Sequence, residues 1–85
     1  MPTLYKLLGY TIYFWSGDGL EPVHVHVGKG RPNENDAKIW VGDRITLEHN
    51  RNKIPDSDLL KILRFVAQNK QRIISQWNKH FGIDK

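Results

Sequence analysis

The chain has no cysteine among its 85 residues. Disulfide bonds and thiolate metal sites are therefore excluded, and a small secreted domain held together by disulfides is not expected. No apolar stretch approaches the roughly 20 residues that a helix needs to cross a bilayer. Residues 1–6 also lack the basic start and the long apolar run of a signal peptide. We therefore expect a soluble cytoplasmic protein without a membrane partner.

Acidic residues are fewer than basic ones, 9 against 13, so the formal net charge is +4. Such a charge favours a polyanion or an acidic protein as a partner, but it does not determine a fold. Hydrophobic residues make up 39% of the chain, which is enough for one small core and argues against disorder. A chain of this length is too short for two independent cores, so residues 1–85 are predicted to form a single domain.

Residues 21–27, with the sequence EPVHVHV, alternate valine with histidine. This period of two is typical of a β-strand, in which alternate side chains share a face. We predict that the valines face the core and that His24 and His26 project together from the other face. Such residues lie roughly 6.5–7 Å apart, so the two rings could bind one metal ion or flank one phosphate.

Two aromatic and branched segments precede this strand, at residues 3–8 and 10–15. They are predicted to be strands, which form either a tight hairpin at Gly9 or one long strand kinked there. Residues 16–19, with the sequence SGDG, are a strong turn signal.

Two further alternating segments, residues 37–41 and 44–49, follow a polar loop. Gly42 and Asp43 lie between them and suit a two-residue hairpin turn. The sequence therefore predicts a second hairpin after the histidine strand.

The last third of the chain has a helical period. Its apolar residues recur at spacings of three, four or seven: Leu59, Leu63, Val66, Ile73, Trp77 and Phe81. Pro55 suits the start of a helix and Gly82 its end. The stripe keeps its phase past Asn69 and Lys70, which favours one helix, with a helix pair as the alternative. We therefore predict an α+β fold: a mainly antiparallel sheet of four or five strands packed against a C-terminal helix or helix pair.

The opposite face of the predicted helix is basic and polar. We call it the basic ridge; its residues are Lys61, Arg64, Gln68, Arg72, Ser75 and Lys79. It could contact a nucleic-acid backbone or an acidic protein, together with Lys29 and Arg31 of the preceding loop. The alternative is a solvated helix face that binds nothing.

His24 and His26 allow three interpretations. Neutral imidazoles suit zinc or another divalent ion, with a third ligand from Asp36, Glu48 or His49. Alternatively, the pair acts as general base and general acid in a metal-independent ribonuclease. In that case Lys29, Arg31 or Lys38 would stabilise the charge that develops on phosphorus. The third interpretation is that both are ordinary sheet residues, half-exposed or packed beneath the helix.

Four segments resemble a known family: PTLY at residues 2–5, EPVHVHV at 21–27, AKIW at 37–40 and WNKHFG at 77–82. They are similar to small bacterial proteins catalogued as domain of unknown function 4160. The resemblance spans nearly the whole chain and implies a small cytoplasmic α+β domain. It also implies a gene context like that of toxin–antitoxin pairs, but no activity, cofactor or catalytic residue.

Taken together, these patterns favour a small basic interaction module that binds a protein partner or nucleic acid. A ribonuclease-type enzyme that uses His24 and His26 and a protein that binds metal through the same pair are the alternatives. The sequence does not decide whether the protein is an enzyme. No cofactor is expected from the sequence, although zinc or another divalent ion would suit the two histidines.

Overall fold

The structure is a computed structural model that describes residues 2–83, and it has an α+β fold. Within these residues the strands are β1 (Thr3–Leu7), β2 (Tyr10–Tyr13), β3 (His24–Gly28), β4 (Ala37–Val41) and β5 (Ile45–His49). The helices are α1 (Asp56–Gln68) and α2 (Lys70–Phe81), and a short 3₁₀ turn, Asp18–Leu20, lies between β2 and β3. The five strands form one antiparallel sheet in chain order. The predicted fold class is confirmed.

The β1–β2 hairpin turns at Leu8 and Gly9. Both residues have positive φ, 56° and 82°, as the central residues of a type I′ turn do, and this turn matches the twist of its strands. The tight hairpin is therefore confirmed, and the alternative of one kinked strand is wrong. β2 ends at Tyr13, so Phe14 and Trp15 leave the sheet earlier than predicted.

The β4–β5 hairpin has a three-residue loop rather than the predicted two-residue turn. Val41 pairs with Ile45, which leaves Gly42, Asp43 and Arg44 between the strands. Arg44 therefore belongs to the loop and not to β5. The Lys70 Nζ donates to the Asp43 carbonyl oxygen at 3.2 Å, which ties this loop to the start of α2.

The core lies between one face of the sheet and the helices. Val25 and Val27 of β3 are fully buried in it, as predicted, beside Ile39 of β4. Ile62 of α1 is also fully buried, although it lay outside the predicted stripe. A core-facing helix buries a band about 100° wide, so residues on either side of the stripe are covered as well.

The helical region is divided at Asn69, so the single-helix interpretation is wrong and the helix pair is confirmed. Asn69 has φ −109° and ψ 17°, yet its N–H still bonds to the carbonyls of Phe65 and Val66. α2 ends at Gly82, whose φ of 70° is the left-handed conformation that glycine favours. Within residues 2–83, no helix is both long and apolar enough to cross a bilayer.

Candidate metal centre

His24 and His26 project from the face of β3 opposite the core valines, and the Asp18 carboxylate reaches both rings. Asp18 Oδ2 lies 3.2 Å from His24 Nε2 and 3.3 Å from His26 Nε2. The three potential ligand atoms lie within 4.8 Å of one another. The predicted convergence of the two imidazoles is thus confirmed, with an acidic side chain as the third member of the cluster.

The Asp18 carboxylate is held in place by its own turn. The Asp18 N–H donates to the Trp15 carbonyl oxygen at 3.0 Å. In return, the Trp15 N–H donates to Asp18 Oδ2 at 2.8 Å. A turn closed by these two bonds fixes the side chain over β3. Asp18 thus combines the role of turn former with that of a candidate ligand.

His24 has one defined tautomer. Its Nδ1 lies 2.9 Å from the Pro22 carbonyl oxygen, and because a carbonyl only accepts, Nδ1 carries the proton and donates. A neutral His24 ring therefore presents the lone pair of Nε2 to Asp18 Oδ2, so that two acceptors face each other. His24 is only 1% exposed, and its Nε2 makes no hydrogen bond among residues 2–83. A proton or a metal cation between these two atoms would relieve the repulsion.

The surroundings of His26 favour the neutral form of its imidazole ring. Burial lowers the pKa of His26 below its ordinary value, and this effect outweighs the opposing effect of the Asp18 carboxylate. The ring is therefore mainly neutral at pH 7. Metal ions bind imidazole in that neutral form. Without an ion, His26 Nε2 is within hydrogen-bond distance of Asp18 Oδ2.

Aromatic rings surround the buried part of the cluster. The His24 ring centroid lies 5.3 Å from that of Trp40 on β4 and 5.2 Å from that of Trp77 on α2. The Tyr13 ring lies 5.5 Å from the His26 ring. These rings exclude water from the inner side of the cluster, and a low local dielectric strengthens its charge interactions.

An ion pair lies beside the cluster. The Lys38 Nζ donates to Glu21 Oε1 at 2.6 Å and stands 4.4 Å from the Trp40 ring centroid. The hydrogen bond from Lys38 lowers the pKa of the Glu21 carboxyl. Lys38 pairs directly with His26 across β3 and β4, so its charge lies next to the candidate ligands.

A family model described as "Domain of unknown function (DUF4160)" matches residues 9–78. The chain belongs to this family. The match contains all three residues of the Asp18–His24–His26 cluster. No curated protein matches the chain. No solved structure matches it either.

The other ligands suggested from the sequence lie elsewhere in this DUF4160 member. Asp36 is buried and accepts a hydrogen bond of 2.6 Å from the Tyr13 hydroxyl. Glu48 accepts one from Trp40 Nε1 at 2.8 Å. Neither of them, nor His49, belongs to the cluster that contains His24 and His26. Asp18 occupies the place for which they were candidates.

The predicted binding cations are on the surface. Lys29 and Arg31 lie in the exposed loop after β3, with Lys29 Nζ 4.7 Å from the Tyr10 ring centroid. All six residues of the basic ridge are exposed: Lys61, Arg64, Gln68, Arg72, Ser75 and Lys79. The structure thus places the basic ridge at the surface, and its role in binding stays a prediction.

Proposed function

We propose that this DUF4160 protein binds a divalent transition-metal ion, zinc foremost, through Asp18, His24 and His26. The observation that carries the proposal is the buried His24 Nε2, which lacks a hydrogen bond and faces Asp18 Oδ2. A buried polar atom left without a partner is costly. A cation bound between the two atoms would satisfy both at once.

The spacing of the ligand atoms supports zinc. Zinc bonds to histidine nitrogen and carboxylate oxygen are about 2.0–2.2 Å long, so two ligands in a tetrahedral site are about 3.3 Å apart. The two distances from Asp18 Oδ2, 3.2 and 3.3 Å, agree with that value. The third spacing, between the two imidazole nitrogens, extends to 4.8 Å, so the rings would move closer together around the ion. The Pro22 carbonyl also fixes the His24 tautomer, as an acceptor on the other ring nitrogen of a metal-binding histidine commonly does.

The same geometry is less favourable to the ribonuclease alternative. General acid–base catalysis requires both histidines to reach the phosphodiester. His24 is buried, and the Asp18 carboxylate lies against both rings. A phosphate placed between the histidines would meet this negative charge, which attracts cations and repels anions.

The metal proposal is tested with protein that has been stripped by a chelator and then titrated with zinc. We expect one ion per chain by calorimetry. The free energy of unfolding should rise by about 2.7 kcal/mol when free zinc is 100 times the Kd. Asp18→Asn and His26→Gln should weaken zinc binding by about tenfold or more, because each removes one of three ligands.

His49→Gln is the matched control, because His49 is a partly exposed histidine outside the cluster. It should bind zinc as the wild type does. If zinc produced neither heat nor stabilisation in the wild type, or if His49→Gln weakened binding as much as His26→Gln, the proposal would be wrong.

The basic ridge supports a second candidate function, the binding of a polyanion. Its side chains follow one face of both helices and all are exposed. Three of its residues lie on α1 and three on α2, at spacings of three or four residues, so that each helix presents a row of exposed side chains that could contact phosphates. The partner would be nucleic acid or an acidic protein in the cytoplasm, as in a toxin–antitoxin-like pair.

A further inference from the structure

We propose that the bound ion keeps one open coordination position, and that this position takes a small oxyanion, phosphate or carboxylate, which Lys38 also holds. This inference rests on the proposed metal binding and assigns a ligand class to the same site. Its structural basis is the difference in exposure within the cluster, together with the position of the Lys38–Glu21 pair.

The first step concerns the number of ligands. Asp18, His24 and His26 supply three ligand atoms. A zinc ion with three protein ligands commonly keeps a fourth position for water or substrate, whereas structural zinc sites are closed by four protein ligands. No fourth histidine or carboxylate joins the cluster among residues 2–83.

The second step concerns the direction from which solvent reaches the cluster. The His24 side chain is 1% exposed, whereas those of His26 and Asp18 are 12% and 17% exposed. The inner side is covered by Trp40 and Trp77, which pack on the His24 ring. The open position therefore lies on the side of His26 and Asp18.

The third step concerns what borders this open side. Lys38 lies directly opposite His26 in the β3–β4 pair, and such side chains start about 4.5–5.5 Å apart. Its ammonium group already holds a carboxylate, because Glu21 Oε1 and Oε2 lie 2.6 and 3.2 Å from Nζ. An oxyanion with one oxygen on the ion and another on Lys38 would displace Glu21, whose side chain is 44% exposed and free to turn towards solvent.

The test uses the full chain loaded with cobalt(II) in place of zinc, so that visible absorption reports the coordination of the ion. Inorganic phosphate and acetate are the two probes. We expect at least one of them to shift the cobalt spectrum of the wild type. Lys38→Gln should lower the affinity for that anion by about tenfold, because a hydrogen bond from a charged donor is lost. Glu21→Gln should strengthen anion binding several-fold, because it removes the competing carboxylate.

Lys6→Gln, at an exposed lysine on β1, is the matched control and should behave as the wild type. Lys6→Gln should bind cobalt with unchanged affinity. Lys38→Gln and Glu21→Gln should still bind cobalt, with modest changes of affinity in opposite directions, because one removes a positive and the other a negative charge near the ion. If cobalt binds but neither anion changes its spectrum, this inference is wrong while metal binding stands. If Glu21→Gln weakens cobalt binding as much as His26→Gln does, Glu21 is a fourth ligand and the position is not open. If cobalt does not bind at all, the proposed function itself fails.

Discussion

At the scale of single residues, Gly28 marks a position in β3 where the packing leaves no room for a side chain. A Cβ built there would clash with the carboxyl group of Asp36. Asp36 cannot easily move, because it accepts hydrogen bonds from the Tyr13 hydroxyl and from the Asn33 N–H. The buried Asp36 carboxylate therefore limits the size of the residue that can stand at position 28 of β3.

Gly28→Ala should lower the free energy of unfolding by about 1–3 kcal/mol, the usual cost of overpacking. Urea unfolding followed by circular dichroism measures the change. Gly17→Ala is the control, because no atom lies within 4 Å of a Cβ at that position, and it should change stability little. Equal stability of the two variants would show that Asp36 gives way freely.

Tyr13 predicts how stability depends on alkaline pH. Burial, then the hydrogen bond to Asp36 and the charge of that carboxylate, raise the pKa of the Tyr13 hydroxyl above its ordinary value of 10.0. The folded protein therefore holds this proton more tightly than the unfolded chain does. The resulting stabilisation is complete below pH 10 and is lost as the pH rises above it, at up to about 1.4 kcal/mol per pH unit.

Tyr13→Phe removes this dependence together with the hydrogen bond. Near pH 8 the variant should be less stable than the wild type by about 1.5–3 kcal/mol, the range for hydrogen bonds to charged groups. Above about pH 10 the difference should shrink, because only the wild type loses stability through Tyr13. Unfolding in urea at several pH values measures both curves. Parallel curves would contradict the assignment.

The candidate ligands differ in how far the sequence could predict them. The alternation of valine and histidine was enough to place His24 and His26 on one face of a strand. Asp18 was not predicted as a ligand, because aspartate beside glycine is also the normal composition of a turn. Its role depends on how the 3₁₀ turn folds back over β3, eight residues from His26, and no local pattern encodes that closure. Asp36, Glu48 and His49 are acidic or imidazole residues near a strand in sequence, but their side chains have other partners or positions.

At the scale of secondary-structure elements, the β1–β2 hairpin carries a local conflict between sequence and conformation. Leu8 is 47% exposed and adopts a φ of 56°, which costs a residue other than glycine about 1–2 kcal/mol. Asparagine followed by glycine is the preferred pair for a type I′ turn. The hairpin therefore forms in spite of Leu8 and is supported by its paired strands.

Leu8→Asn should accordingly raise the free energy of unfolding by about 1 kcal/mol. For a domain of this size the midpoint of thermal unfolding would rise by about 4–8 °C. Leu8→Val tests the cause, because a β-branched residue is still less suited to positive φ and should lower the midpoint. A loss of stability in Leu8→Asn would mean that Leu8 contributes more by contact than it costs in conformation.

Element types were easier to predict than element ends. Alternation of apolar and polar residues identifies β3, β4 and β5, and the helical period identifies the helical region, because burial of one face imposes a period on a whole element. β1 and β2 were identified by their aromatic and branched composition instead. The break at Asn69 was not recognised, since the apolar stripe keeps its phase and backbone hydrogen bonds continue across it. The loop after β4 also contains Arg44, whereas the Gly42-Asp43 pair predicted a turn of only two residues. A pair of turn-forming residues indicates that a turn exists, but the register of the strands fixes its length.

At the scale of the whole molecule, the positive charge of +4 is partly concentrated on one side of the helices. If the basic ridge binds a polyanion, replacing Lys61, Arg64 and Arg72 by Glu should abolish most of the affinity. Binding to phosphates also releases counterions, so the affinity should fall steeply with salt. In the log–log plot, the slope for single-stranded RNA should become shallower by about 2 for the triple variant.

Fluorescence anisotropy with labelled RNA measures both effects. His26→Gln is the control, because it alters the metal centre and leaves the ridge intact, and it should bind RNA as the wild type does. If the wild type binds neither RNA nor DNA at low salt, the nucleic-acid form of this candidate is excluded. The remaining form is then an acidic protein partner.

α2 carries part of the basic ridge on one face and covers the candidate metal centre with another, and this affects the rate at which a bound ion is released. Its buried residues are Ile73, which belongs to the core cluster, and Trp77, which covers His24. A helix with so few buried residues opens locally more often than the whole domain unfolds. Asn69 is the natural hinge for such an opening. Each opening uncovers His24, the deepest ligand, so detachment of α2 would speed the release of a bound ion, and variants that loosen α2 would shorten the residence time of the ion.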